Sequence, residues 1–176
     1  DASKVQTITL NVIANLRKTI SQINMIEFLK GGKTLNGVKM GMTIDDLYSI
    51  LGKPTTISGE KNYGYIHYGE YRYGFTDGLI NEMAIEFKLI EKPLEFPNIE
   101  YKKYDISLFE NFKIQSKSKI HKIISFINHL QLNWKAENGI DKDSLTIKIE
   151  NGPYIVFDLY DGTVDKITIV DGHQKD

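Results

Sequence analysis

The sequence predicts an α+β fold: two tandem units, each a helix followed by an antiparallel meander, form one sheet with the helices packed on one face. An N-terminal helix is expected to precede both units. Three observations lead to this prediction. Apolar residues at helical spacing give way twice to stretches in which apolar and polar residues alternate, as in strands. Asp-Gly and Asn-Gly dipeptides, which favour hairpin turns, separate these stretches. The pattern of residues 77–85, DGLINEMAI, returns 84 residues later as DGTVDKITI, which indicates an internal repeat.

The N-terminal segment, residues 1–34, is predicted to be an amphipathic helix. Apolar residues in 5–29 recur at spacings of three and four, and the pattern ends at Gly31 and Gly32. Several of these residues are β-branched, which lowers helix propensity, so the helix is expected to depend on packing. Its apolar stripe would cap the domain or contact a partner.

The first unit, residues 35–95, begins with a short helix predicted over 43–51. Thr43 is a suitable N-cap, and the two aspartates that follow suit the positive end of a helix. Gly52 favours the conformation that ends a helix, and Pro54 prevents its continuation. Strands are then predicted at 63–68, 70–76 and 79–88.

The second unit, residues 96–176, is predicted to repeat the order of the first. Residues 91–105 hold two of the four prolines and several charges, which predicts a linker or an irregular edge segment. Ser118 is placed to cap a helix over 119–131. The remaining strands are predicted at 144–150, 153–160 and 163–170.

Five of the ten tyrosines lie within residues 63–73. Alternation places Tyr71, Tyr73 and Phe75 on one face of their strand, and the repeat aligns them with apolar residues. We therefore expect all three in the core, with the tyrosine hydroxyls reaching its rim. The aligned residues of the second unit are Ile155, Phe157 and Leu159.

In the preceding strand, Tyr63, Tyr65 and His67 share one face, and Ile66 and Tyr68 share the other. One face has to pack against the core, which leaves two or three tyrosines exposed to solvent. Two interpretations stay open. Either these residues are structural, since tyrosine favours strands and tolerates half-burial, or they form a partly exposed binding patch.

Composition excludes several classes of function. The 176 residues include no cysteine, which rules out disulfides, thiol catalysis and thiolate metal sites and fits a reducing cytoplasm. No apolar run reaches the length of about 18 residues expected of a transmembrane helix. The net charge of −1 gives no general attraction to nucleic acid or membrane. Residues 136–176 are nevertheless net −5, which fits either a basic partner or a solvated sheet face.

No catalytic residue, cofactor or metal ion is predicted. The sequence lacks a Gly-x-Ser-x-Gly motif, a glycine-rich phosphate loop and a His-Glu-x-x-His motif. His121 and His129 lie eight positions apart on one predicted helix, too far to bind one ion together. A lysine cluster near that helix is more typical of a solvated face than of a nucleic-acid site.

The segment 37-GVKMGMTIDDLYSILGKP-54, followed by the tyrosine-rich meander, resembles two related groups of bacterial proteins. One group comprises the BamE-like outer-membrane lipoproteins and the tandem β-lactamase-inhibitor-like proteins. The other comprises immunity proteins encoded beside polymorphic or contact-dependent toxins. The first group is lipidated at a cysteine or disulfide-bonded, and this chain has no cysteine, so it resembles the immunity proteins more closely. The matching residues are Gly37, Gly41, Met42, Thr43, Leu51, Gly52 and Pro54.

The resemblance implies a non-enzymatic, cytoplasmic protein that neutralises a cognate toxin by covering its active site or an essential surface, without binding nucleic acid or membrane itself. Exposed tyrosines would act as rigid anchors, and carboxylates would pair with basic toxin residues. If the toxin is a nuclease, the net −5 region would suit its basic groove. An envelope-associated BamE-like binding or scaffold module is the alternative, and a small enzyme with an unrecognised site is a third hypothesis. The expected partner-binding residues are Tyr63, Tyr65, His67, Tyr68, Glu70, Asp158, Asp161 and Asp165.

Overall fold

The computed structural model describes residues 22–137 and 142–171. Of the helix predicted over 5–29, the part up to residue 21 lies outside the described residues, and the part from residue 22 is helical. No described helix combines the length and the apolar composition needed to cross a bilayer. The predicted α+β class, with mostly antiparallel strands, is confirmed.

The described elements, in chain order, are three α-helices, one short 3-10 helix and twelve strands. The helices are α1 (Gln22–Leu29), α2 (Ile44–Leu51) and α3 (Ile120–His129), and the 3-10 helix covers Phe87–Leu89. The strands are β1 (Thr34–Leu35), β2 (Val38–Lys39), β3 (Thr56–Gly59), β4 (Tyr63–Tyr68), β5 (Tyr71–Thr76), β6 (Leu79–Glu86), β7 (Leu94–Lys103), β8 (Ile106–Ile114), β9 (Trp134–Glu137), β10 (Ser144–Ile149), β11 (Tyr154–Asp158) and β12 (Thr163–Val170).

Eight strands form one antiparallel sheet in the order β3-β4-β5-β6-β12-β11-β10-β9. Each half of this main sheet is a meander of four consecutive strands, and the halves meet where β6 pairs with β12, with Ile85 opposite Ile167. Strands β1 and β2 pair with each other, as do β7 and β8, in two separate two-stranded sheets.

Corresponding backbone contacts tie α2 and α3 to the meanders that follow them. Ile44 N donates a hydrogen bond to Gly78 O at 3.1 Å, and Ile120 N donates one to Gly162 O at 3.0 Å. Both acceptors are the glycines of the predicted Asp-Gly turns. Each helix therefore begins beside the turn that leads into the last strand of its half.

The alignment of β5 with β11 differs from the predicted one by two residues. Tyr73 lies opposite Met83, and Ile155 lies opposite the matching residue of β12, Ile167. The counterpart of Tyr73 is therefore Ile155, because the turn before β12 is two residues longer than the turn before β6. Leu159 was wrongly expected in the core: it lies in the longer turn and is 48% exposed.

Helix α2 has the predicted cap. The Thr43 hydroxyl accepts a hydrogen bond from Asp46 N at 3.1 Å, and an Asp46 carboxylate oxygen accepts one from Thr43 N at 3.1 Å. These reciprocal bonds satisfy donors that the helix start leaves open. Gly52 ends the helix with a φ of 76°, a left-handed value that glycine adopts without steric cost.

Helix α3 begins differently, and the predicted Ser118 cap is wrong. Lys119 occupies the cap position and makes no side-chain capping bond. Ser118 lies one residue too early and is buried. Its hydroxyl accepts a hydrogen bond from Gln115 N at 3.0 Å, so it closes the preceding turn instead.

Residues 91–105, predicted to be a linker or an irregular edge segment, contribute instead to the long hairpin of β7 and β8. This prediction was wrong because the prolines do not interrupt the pairing. Pro97 lies between Phe96 and Ile99, where the register shifts, and a proline is tolerated at such a bulge. Both apolar neighbours are buried.

The turn of this hairpin also lacks the usual sequence signal. Tyr104 and Asp105 connect the strands with φ values of 53° and 61°. A two-residue turn with two positive φ values favours Asn-Gly, and a bulky residue adopts such values rarely. The dipeptide Tyr104–Asp105 therefore gives no sequence signal for the hairpin that is present in the structure.

One apolar core joins the three helices, the β7–β8 hairpin and one face of the main sheet. Tyr71, Tyr73 and Phe75 are buried there, as predicted. The expectation that their hydroxyls reach the rim fails for Tyr73, whose hydroxyl lies inside the core and donates to Leu35 O at 3.2 Å. Burial raises the pKa of Tyr73 above its ordinary value.

Candidate functional site

The first half of the main sheet turns a polar and aromatic surface away from the core. Residues belong to this surface when strand alternation turns them away from the core: in β6, for example, Met83 and Ile85 belong to the core cluster, whereas Glu82 and Glu86 do not. We call this surface the outer face. Its residues are Tyr63, Tyr65, His67, Arg72, Gly74, Glu82, Ala84 and Glu86.

Arg72 lies at the centre of the outer face between two carboxylates. Its Nη1 donates to Glu86 Oε1 at 2.8 Å, and its Nη2 donates to an oxygen of Glu82. Thr168 of the neighbouring half donates its hydroxyl to the same Glu82 oxygen at 3.1 Å. The side chains of Arg72, Glu82 and Glu86 are only 14%, 15% and 21% exposed, so this network is largely withdrawn from water. Charge-assisted bonds of this kind hold side chains in one geometry.

Tyr65 lies against this network. The Arg72 guanidinium carbon is 4.6 Å from the centre of the Tyr65 ring, a cation–π distance. Gly74 makes the close packing possible, since a Cβ there would lie 2.8 Å from the Glu82 Cβ and 3.4 Å from the Tyr65 ring. Tyr65 is 41% exposed, and Tyr63 on the same face is 54% exposed. Both rings are therefore accessible to a partner, and the Tyr65 ring also packs against the Arg72 guanidinium.

His67 and Tyr68 end up on opposite sides of the sheet. His67 lies on the outer face, where its Nδ1 is 3.9 Å from Glu86 Oε2. Tyr68 points to the core side and donates its hydroxyl to Gly52 O at 2.8 Å. Burial raises the pKa of Tyr68 to about 12. Although Tyr68 is one of the predicted partner-binding residues, the structure does not bring it together with Tyr63 and Tyr65.

Glu70 lies in the turn between β4 and β5, close to His67. The two residues line an open groove of about 390 Å³ together with Thr55, Thr56 and Leu89. The backbone of Glu70 also accepts a hydrogen bond from Glu86 N at 2.8 Å, which fixes the turn against β6. Glu70 therefore lies at the margin of the outer face.

The three predicted aspartates lie in the other half of the sheet. Lys88 Nζ lies 3.4 Å from Asp158 and 3.3 Å from Asp165. Hydrogen bonding to Asp165, followed by the charge of Asp165, raises the pKa of Lys88. Asp161 accepts hydrogen bonds from the Thr163 hydroxyl and backbone N, which lower the pKa of Asp161. All three side chains thus make contacts within the chain.

The acidic end of the sequence does not become a uniformly acidic surface in the described structure. Cations from the first 135 residues lie beside its carboxylates: Lys88 as above, and Lys33, whose Nζ is 3.0 Å from Asp171 Oδ1. Lys135 is likewise 3.0 Å from Glu137. Folding therefore places basic side chains from the earlier part of the chain beside the acidic side chains of its C-terminal part.

The eight predicted residues consequently do not form one cluster. Tyr63 and Tyr65 are on β4, whereas Asp158 is on β11, four strands away in the sheet order. At about 4.8 Å per strand, this places them about 19 Å apart across the sheet. The Arg72 network was missed because it depends on strand register, and the register shifts between Gly74 and Phe75.

Within residues 22–137 and 142–171, no three histidine, aspartate or glutamate side chains come close enough to hold a metal ion. His129 is packed between two aromatic rings, with its centre 3.9 Å from that of Tyr101 and 4.9 Å from that of Phe112. Comparisons with protein-family models, curated proteins and solved structures found no match to this chain.

Proposed function

We propose that this chain is an immunity protein that binds and neutralises a cognate bacterial toxin domain, without catalysing a reaction and without a cofactor. We further propose that it consists of two tandem helix-plus-meander units and acts in the cytoplasm. The observation that carries the proposal is the pair of exposed tyrosines, Tyr63 and Tyr65, on a face braced by the Arg72 network.

The outer face is preorganised for binding a partner. Tyrosine and arginine are enriched among residues that dominate protein–protein binding energy. A ring already fixed against a guanidinium loses little freedom when a partner covers it, so less binding free energy is lost to ordering. Tyr65 meets this condition because Arg72 is held by Glu82 and Glu86.

The charges of the outer face favour a protein partner over direct nucleic-acid binding. Its cation, Arg72, is already bonded to two carboxylates, which leaves no free positive group for a phosphate. Glu70 at the margin adds negative charge that suits basic toxin residues. Asp158 and Asp165 share Lys88, so they would contribute less to a basic partner than the sequence suggests.

The experiment mixes the purified protein with the toxin domain encoded by the adjacent gene and separates the mixture by size exclusion. A complex is expected. The double variant Tyr63→Ala/Tyr65→Ala should weaken it about 100-fold, because two anchor residues of this kind contribute about 3 kcal/mol. Tyr160→Ala is the matched control: this tyrosine is 97% exposed but lies between β11 and β12, in the other half of the main sheet, and its loss should change little. Failure to form a complex, or equal effects of both variants, would contradict the proposal.

A further inference from the structure

The two ends of the main sheet differ in how they are protected. Strand β9 at one end carries Lys135 and Glu137, and charged side chains on an edge strand discourage pairing with another chain. Strand β3 at the other end has the sequence TISG, with no charge, and all four residues are exposed. Its neighbour is β4 alone in the described residues, so β3 is an edge strand of the sheet that these residues form.

The register shows which backbone groups this edge presents. Glu60 N donates to Tyr63 O at 2.8 Å, which makes them a hydrogen-bonded pair of the β3–β4 ladder. Antiparallel pairs alternate between bonded and non-bonded, so Ile57 and Gly59 are non-bonded positions. Their N–H and C=O groups point away from β4 and are directed outward from the sheet.

Two grooves flank the same strand, one on each face of the sheet. On the core side, a groove of about 570 Å³ is lined by Tyr48, Pro54 and Ile57, with Lys53 on its wall. Its size falls within the range of clefts that bind small-molecule ligands, so it has room for an apolar side chain. On the outer side, the lining of the groove of about 390 Å³ includes Glu70 and Glu91. Both grooves have largely apolar linings, and the outer one also includes two acidic residues and His67.

We infer that β3 is a docking edge for an extended segment of a partner protein in which apolar and basic residues alternate. Such a segment would bond to the outward groups of Ile57 and Gly59 and become a ninth strand of the sheet. Side chains of an added strand point alternately to the two faces. Apolar residues would therefore enter the groove at Tyr48 and Pro54, and basic residues would reach Glu70. This inference deepens the proposed function and rests on it for the identity of the partner.

A peptide tests the chemistry without the natural partner. The probe is a capped peptide of about ten residues with alternating valine and lysine, added to ¹⁵N-labelled full-length protein up to about 1 mM. We expect shifts and slower hydrogen exchange at the Ile57 and Gly59 amides. A valine–glutamate peptide should bind at least about tenfold more weakly, because Glu70 would repel it.

Variants separate backbone pairing from side-chain contact. Ile57→Pro removes an outward N–H but no bond to β4, so the fold should persist and peptide affinity should fall about tenfold or more. Ile57→Ala keeps the N–H and should lose less affinity. Glu70→Lys, which leaves the edge intact, should reverse the preference between the two peptides.

Several outcomes would overturn the inference: no shift at Ile57 or Gly59 at the highest valine–lysine concentration, shifts confined to another strand, or equal affinity for both peptides. Slow hydrogen exchange at these two amides in the free protein would show that the edge is already paired, either by another part of the chain or by a second copy. Toxin binding that is unchanged in Ile57→Pro would reject the docking edge and leave the proposed function standing. Peptide binding without any toxin complex would reject the function and leave the edge standing.

Discussion

Replacing Arg72 with methionine tests the network that braces the outer face. The substitution keeps much of the side-chain length and removes the charge, so Glu82 and Glu86 remain close together without their cation. Breaking a buried ion pair by removing one partner typically costs about 3 to 5 kcal/mol. The three side chains retain 14–21% exposure, which lets water relieve part of the cost, so we expect about 3 kcal/mol.

Urea denaturation of the wild type and the variant measures this difference in the free energy of unfolding, and the slope should stay unchanged. In a thermal scan, the same loss corresponds to a fall in Tm of about 6–12 °C for a chain of this size. The triple variant Arg72→Met/Glu82→Gln/Glu86→Gln should recover most of the stability, because it leaves no uncompensated charge.

Lys88→Met is the matched control. Lys88 also lies between two carboxylates, Asp158 and Asp165, but its side chain is 60% exposed. Exposed pairs contribute little, so the loss should stay below about 1 kcal/mol. A small effect of Arg72→Met, equal to that of Lys88→Met, would refute the view that burial makes the Arg72 network rigid. A triple variant no more stable than the single one would refute the charge argument.

Three further predictions concern the fold. Tyr73→Phe removes a buried hydrogen bond and should lower the free energy of unfolding by about 1 kcal/mol in urea; no loss would show that the bond contributes nothing. The side-chain and backbone bonds from Thr43 lower the pKa of Asp46, so its stabilising effect is present above the ordinary carboxyl pKa of about 4 and is lost as pH falls below it. Asp46→Asn should therefore melt below the wild type near pH 7 and together with it near pH 2, and a deficit that persists in acid would contradict this. The double variant Tyr104→Asn/Asp105→Gly should raise the free energy of unfolding by about 1 kcal/mol, because the new residues adopt positive φ readily; a decrease would show that Tyr104 stabilises the hairpin.

Local signals predicted the parts of the fold that depend on neighbours in sequence. Helix α2 was found because Thr43 and Gly52 specify its two ends within a few residues. The faces of β4 were assigned correctly because alternation alone separates Tyr65 from Tyr68. The β7–β8 hairpin was missed because its turn, Tyr104–Asp105, adopts a conformation that its residue types disfavour.

The candidate site depends on contacts between strands, and a single sequence does not encode these locally. Arg72 meets Glu82 and Glu86 only after a register shift in the β5–β6 pair. The pairing of Lys88 with Asp158 joins residues 70 positions apart, which is why the acidic end looked like a free charged surface. Alternation placed Tyr63 on the correct face, and the sheet order showed how far it lies from the aspartates.

Growth of bacteria that produce the proposed toxin domain, sought in the adjacent gene, tests the central claim most directly. Co-expression of the wild-type chain should restore growth, and so should co-expression of Tyr160→Ala. The variant Tyr63→Ala/Tyr65→Ala, produced at the same soluble level, should give much less protection because two accessible rings of the outer face are lost, one of which packs against Arg72. Cells that die despite abundant wild-type protein, or that grow equally well with the double variant, would contradict the account.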